Sequence, residues 1–99
     1  MFWRKRRSDD EFTELSSNEV KSNRGFRVVA GHGSTKYYEG LRKVEVNSEY
    51  MGAKDGVYIY KASSSNKGLS RLSPERIEEV FENIGRGLTF LGFEVVFVD

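Results

Sequence analysis

The chain has 99 residues, a formal net charge of +1, 37% hydrophobic and 31% charged residues, and thirteen aromatics. That length holds one hydrophobic core and not two, and the apolar content is too high for a disordered chain. Cysteine is absent, which excludes disulfides, thiolate nucleophiles and thiolate metal sites.

The small net charge hides four blocks of alternating sign. Residues 1–7 carry four bases; residues 8–24 carry five acids and two bases; residues 25–72 carry eight bases and four acids; residues 73–99 carry six acids and two bases. Such segregation gives the surface two signs of potential and bears on partner choice. The opening Met1-Phe-Trp-Arg-Lys-Arg-Arg resembles the basic start of a signal peptide, but Ser8-Asp-Asp-Glu stands where the apolar run belongs. No stretch approaches the ~20 apolar residues of a membrane span, so a cytoplasmic location is expected.

Residues 1–24 read as a polar, charged arm, with Phe12, Leu15 and Val20 as its only apolar anchors after Phe2 and Trp3. Ser8 and Glu11 have the spacing of a capping box, in which each side chain satisfies a backbone amide, and predict a short helix over 9–15. A single domain over 25–99 follows. Phe26-Arg-Val-Val-Ala is rich in strand formers and ends at Gly31-His-Gly-Ser, where glycines permit a reversal. Tyr37-Tyr38 begins a returning strand. Leu41 to Val46 alternates Val44 and Val46 with Lys43 and Glu45, the period of a half-buried strand. Asp55-Gly56 is the strongest local hairpin signal, Val57-Tyr-Ile-Tyr-Lys is a strand, and Ser63-Ser-Ser-Asn-Lys-Gly reads as a polar loop.

The best-specified element is a helix over 74–91. Ser73 is a preferred N-cap, Pro74 suits the first helical position, and Glu75 sits at the positive end of the helix dipole. Leu72 and Ile77 have the spacing of a hydrophobic staple. At about 100° per residue, Ile77, Val80, Phe81, Ile84, Leu88 and Leu91 share one arc, opposite Glu75, Glu78, Glu79, Glu82 and Arg86. Gly85 and Gly87 mark a distortion or a close backbone approach, and Gly92 fits the left-handed residue that ends a helix. Phe93-Glu-Val-Val-Phe-Val is then a strand apolar on both faces except at Glu94, which calls for neighbours on both sides or a partner beyond the sheet.

These elements predict an α+β fold in the order β-β-β-α-β: a small antiparallel sheet of about four strands with one C-terminal helix on one face, preceded by the polar N-terminal arm. One helix covers one sheet face, so Tyr58, Tyr60, Val96 and Val98 are expected on the other, either as a binding surface or hidden in a homodimer.

Chemistry-bearing motifs are sparse. Val28-Val-Ala-Gly-His-Gly-Ser-Thr-Lys36 leads a strand into glycines, hydroxyls and a lysine, but the GxxxxGK[ST] spacing and a following helix are missing. His32 is the sole histidine and has no sequence neighbour to orient it as a base. No catalytic set, metal-ligand spacing or cofactor signature is legible.

The leading expectation is a non-enzymatic protein that binds a macromolecule, preferably another protein, through the sheet face at Tyr58 and Tyr60 or the acidic helix face of Glu75, Glu78, Glu79 and Glu82. The alternative is single-stranded nucleic acid, with bases stacked on tyrosine and phosphates neutralised by Arg4, Lys5, Arg6, Arg7, Arg27, Lys36, Arg42, Lys43 and Lys61. Glu39, Glu45 and Glu49 dilute that basic patch. Residues 2–7 also have the composition of an anionic membrane-surface contact, a less favoured reading.

Overall fold

The computed structural model describes residues 7–50 and 56–99. Among them are β1 (Phe12–Ser16), β2 (Glu19–Ser22), β3 (Phe26–Val29), β4 (Gly33–Glu39), β5 (Arg42–Tyr50), β6 (Gly56–Tyr60), α1 (Pro74–Phe90) and β7 (Glu94–Val98). All seven strands lie in one sheet in chain order, antiparallel from β1 to β6 and parallel between β6 and β7. Helix α1 is the crossover that a parallel pair requires.

The expected four-stranded sheet is thus corrected to seven strands, and the polar arm gives way to β1 and β2. No helix forms over 9–15. Asp9 instead accepts hydrogen bonds from the backbone amides of Glu11 and Phe12 at 2.8 and 2.7 Å, and Ser8 returns to pair with Thr13. Asp9, and not the capping-box pair Ser8 and Glu11, therefore caps a turn, a competition open to short polar side chains. Asp55 and the rest of the turn at 51–55 lie outside the described residues, as do residues 1–6.

The sheet curls into a half-barrel around α1. Its helix touches β2 and β3 near one end of the strand order and β7 at the other, contacts that a flat sheet of this width cannot make with one helix. Each strand sends alternate residues inward: Phe12, Val20, Phe26 and Val28, Tyr37, Val44 and Val46, Val57 and Ile59, all buried against Val80, Phe81, Ile84 and Leu88 of α1. Gly87 lets the helix approach closely, since a β-carbon there would stand 3.1 Å from Val20 Cγ1 and 3.2 Å from Val28 Cγ2.

Polar groups inside this cup are paired. Thr35 donates to Ser48 Oγ and Ser48 donates to the Gly31 carbonyl, each at 2.9 Å. Three helix side chains fasten α1 to the sheet. Arg76 donates to both Glu39 oxygens at 3.0 Å, Asn83 to the Tyr37 hydroxyl at 3.1 Å, and Arg86 to Glu11 Oε1 at 2.6 Å.

Ser73 caps the helix by accepting from the Arg76 amide. Leu72 and Ile77 both pack on the core, as the staple spacing requires. The loop at 63–68 does more than connect. Asn66 accepts from the Asn47 amide at 2.6 Å and donates to the carbonyls of Tyr60 and Lys61, while Lys67 pairs with Glu45 where β6 no longer flanks β5.

Candidate interaction site

Helix α1 ends in a reversal that Gly92 makes possible at φ +100°. The Gly92 amide donates to Thr89 O and the Phe93 amide to Leu88 O. Phe93 then packs against Tyr50 with ring centres 5.7 Å apart, and the chain enters β7 beside β6, with Val57 opposite Val95 and Ile59 opposite Phe97. That register points Val95 and Phe97 inward and Val96 and Val98 outward.

No strand among the described residues pairs with the outer edge of β7. The opposite edge of the sheet is treated differently: at β1, Ser8 pairs with Thr13 and the Arg7 carbonyl accepts from the Glu14 amide at 2.9 Å. Val96 is 37% and Phe97 40% exposed, although both belong to an apolar run. Phe97 meets the edge of the Phe81 ring at 6.2 Å and also lies over Gly85, where a β-carbon would stand 3.0 Å from its Cζ.

A groove of about 510 Å³ runs along the helix where the half-barrel is open between β1 and β7. Phe12, Gly85, Phe90, Val95 and Phe97 supply its apolar surface; Asp9, Glu82, Arg86 and Thr89 edge it. Arg86 is already held by Glu11, whose carboxyl that hydrogen bond lowers below its ordinary value. Asp9 is lowered by the amides of Phe12 and Glu11. Lys61 sits over the Phe81 and Phe97 rings at 5.6 and 5.9 Å.

The outer sheet face divides into two patches. Tyr58 and Tyr60 lie half-buried between Glu49 and Asn47 of β5 and Val96 and Val98 of β7. The Tyr60 hydroxyl donates to Glu49 at 2.9 Å, which raises its pKa. The cations gather elsewhere. Lys21, Arg27, Tyr38 and Lys43 form one row across β2 to β5, with Lys36 in the next. Arg27 stacks 4.3 Å from the Tyr38 ring centre and pairs with Glu19 at 2.5 Å; Lys43 pairs with Glu45 at 3.3 Å. The aromatic that the bases surround is therefore Tyr38, and its ring already carries Arg27.

The remaining candidates scatter. Arg42 and Lys43 share a concavity with Arg71 at the β4–β5 turn, whose tip residue Leu41 is fully exposed. Arg7 donates to the Phe90 carbonyl at 3.4 Å. Arg4, Lys5 and Arg6 lie outside the described residues. Glu75, Glu78, Glu79 and Glu82 are all exposed on α1, with Glu79 ion-paired to Arg76. In the supposed phosphate loop, Gly33 to Lys36 belong to β4 and are paired with β5, so only Gly31 and His32 remain as a turn. His32 is exposed and stacks parallel to Tyr50 at 6.2 Å.

Among the described residues no group of three or more His, Asp or Glu side chains is placed to hold a metal ion, and no helix is long and apolar enough to cross a membrane. Comparison with protein-family models, curated proteins and solved structures gives no match.

Phe12 and Phe97 were not among the candidate site residues, although the sequence marks Phe12 as an apolar anchor. They are 85 positions apart and meet at one groove only because the sheet curls. The one legible signal was the doubly apolar pattern at 95–98.

Proposed function

We propose that this protein is an interaction module that binds an extended segment of a partner protein along β7. The observation that carries the reading is the outer edge of β7, which no strand among the described residues pairs and where Val96 and Phe97 stay exposed beside an apolar groove. A sheet edge offers unpaired amides and carbonyls as a template for a further strand, and the side chains beside it select the sequence that is added. Tyr58 and Tyr60 extend the apolar surface on the outer face, which joins this reading to the sheet-face expectation.

Single-stranded nucleic acid is supported less, because Arg27 and Lys43 of the basic row are engaged with Glu19, Glu45 and Tyr38. That alternative requires oligonucleotide binding that weakens steeply with salt.

The test is display selection of random peptides on the wild-type protein. Ligands so selected should lose binding to Val96→Lys and to Phe97→Ser, and should slow amide exchange at 95–98 when bound. Binding that is unchanged in both variants, with no added protection in β7, overturns the reading.

A further inference from the structure

Resting on that reading, we infer that the segment taken up by β7 is basic, with lysine or arginine alternating with or flanking apolar residues.

The charge around the edge carries this. Residues 74–99, the helix and β7, hold six acids and two bases, and both bases are committed. Arg76 is bound to Glu39 and Glu79, and Arg86 to Glu11. Glu75, Glu78, Glu82 and Glu94 make no ion pair among the described residues. Glu82 edges the groove directly. Glu78 lies seven residues before Gly85, on the same stripe of the helix that faces Phe97. Glu94 opens β7 itself. A strand docking here therefore enters an apolar trough edged by Glu82, with Glu78 on the same helix stripe and Glu94 on the outer face of β7, while the cations beside it are the ion-paired Arg86 and Lys61 over the Phe97 ring.

The same charges argue against a second copy as the occupant. Paired antiparallel, β7 would bring Glu94 of one chain toward Asp99 of the other; paired parallel, it would set Glu94 beside Glu94. Like charges facing each other across strands are unfavourable. Exposed edge strands that must stay unpaired are commonly guarded by lysine, proline or a bulge; Val95 to Val98 has no lysine or proline. The acids at its margins repel self-pairing while attracting a basic strand.

The experiment uses two fluorescein-labelled ten-residue peptides, one alternating lysine with valine and one alternating glutamate with valine. Both are titrated at low ionic strength, where surface charge is least screened, into the wild-type protein and into Glu78→Lys/Glu82→Lys/Glu94→Lys. Circular dichroism melting checks that the variant is folded, and light scattering reports the mass of each protein. The wild type should prefer the lysine peptide by tenfold or more, and the variant should reverse that preference.

Equal affinity for both peptides overturns the basic-partner inference but leaves strand uptake by β7 intact. A wild-type dimer that the Val96→Lys variant dissociates makes a second copy the occupant and overturns it as well. Failure of the wild type to bind either peptide or any display-selected segment removes the underlying reading too.

Discussion

The wholly buried Tyr37 hydroxyl donates to Glu39 Oε1 at 2.5 Å, two residues along the same inward face of β4. Burial, reinforced by that carboxylate, pushes the phenol up to about 12, and the same hydrogen bond is the main cause holding Glu39 below its ordinary 4.5. Arg76 and Asn83 complete the cluster from the helix. The helix is thus registered on the sheet by directional contacts as well as by packing.

Replacing Tyr37 by phenylalanine keeps the ring and removes the link. Glu39 loses its shortest donor and Asn83 Nδ2 its acceptor, at a cost of about 1–2 kcal/mol. Urea denaturation should show a lower midpoint with an unchanged slope, and the Glu39 carboxyl should titrate closer to 4.5 by NMR.

Stability should depend on pH at both ends. Glu11 and Glu39 have lowered pKa values in the folded state, so their contribution is complete above 4.5 and is lost as pH falls through the folded values. Tyr37 has a raised value, so its contribution is complete below 10 and is lost as pH rises toward 12. Unfolding midpoints across acid pH should fall less steeply in Glu11→Gln and Glu39→Gln, measured against their own values at neutral pH.

The two helix glycines should respond to alanine with opposite signs. At Gly85 the new methyl meets only the outer end of Phe97, a partly exposed ring with room to turn, so the helix gain of up to about 1 kcal/mol is retained. At Gly87 it meets the β-branched and fully buried Val20 and Val28, which cannot turn away. Gly87→Ala should therefore destabilise by about 1–3 kcal/mol. Thermal melts of the two variants check this directly.

Asn66→Ala should cost about 1–3 kcal/mol although the residue lies in a surface loop, because the Asn47 amide and the Tyr60 and Lys61 carbonyls lose their partner together. Faster hydrogen exchange at the Asn47 amide, with the β2–β3 amides unchanged, would mark the effect as local.

The helix was legible because its signals are local: the Ser73 cap, Pro74, the staple and the glycine stop fall within one stretch of chain. The first two strands were not. Their inward positions hold Phe12 and Glu14, then Val20 and Ser22, so apolar alternation is broken by a buried carboxylate and a buried hydroxyl. In β4 the inward residues are Thr35 and Tyr37, and glycine at its start reads as a turn. Bonds such as Ser22 to Glu11 and Thr35 to Ser48 make polar residues tolerable inside, and no pattern in the chain announces them.

At the β7 edge, the doubly apolar pattern of the final strand calls for neighbours on both sides or a partner beyond the sheet. Among the described residues β7 stands at the margin of the sheet, with β6 as its one neighbour. Which residues rim it depended on the curl that sets Phe12 against Phe90 and brings it to the same groove as Phe97, a long-range property invisible to spacing.

The order of the strands also bears on how the protein is made. Each pair from β1 to β6 joins neighbours in the chain and closes short loops, whereas β7 must reach back across a whole helix. During synthesis six strands emerge before α1 and β7 exist to cover Val20, Val28 and Ile59, so this apolar surface stays open until residues 74–98 arrive. Productive folding is then a late event, and a stalled or clipped chain that lacks 74–98 leaves these apolar residues uncovered, the kind of species on which chaperones act.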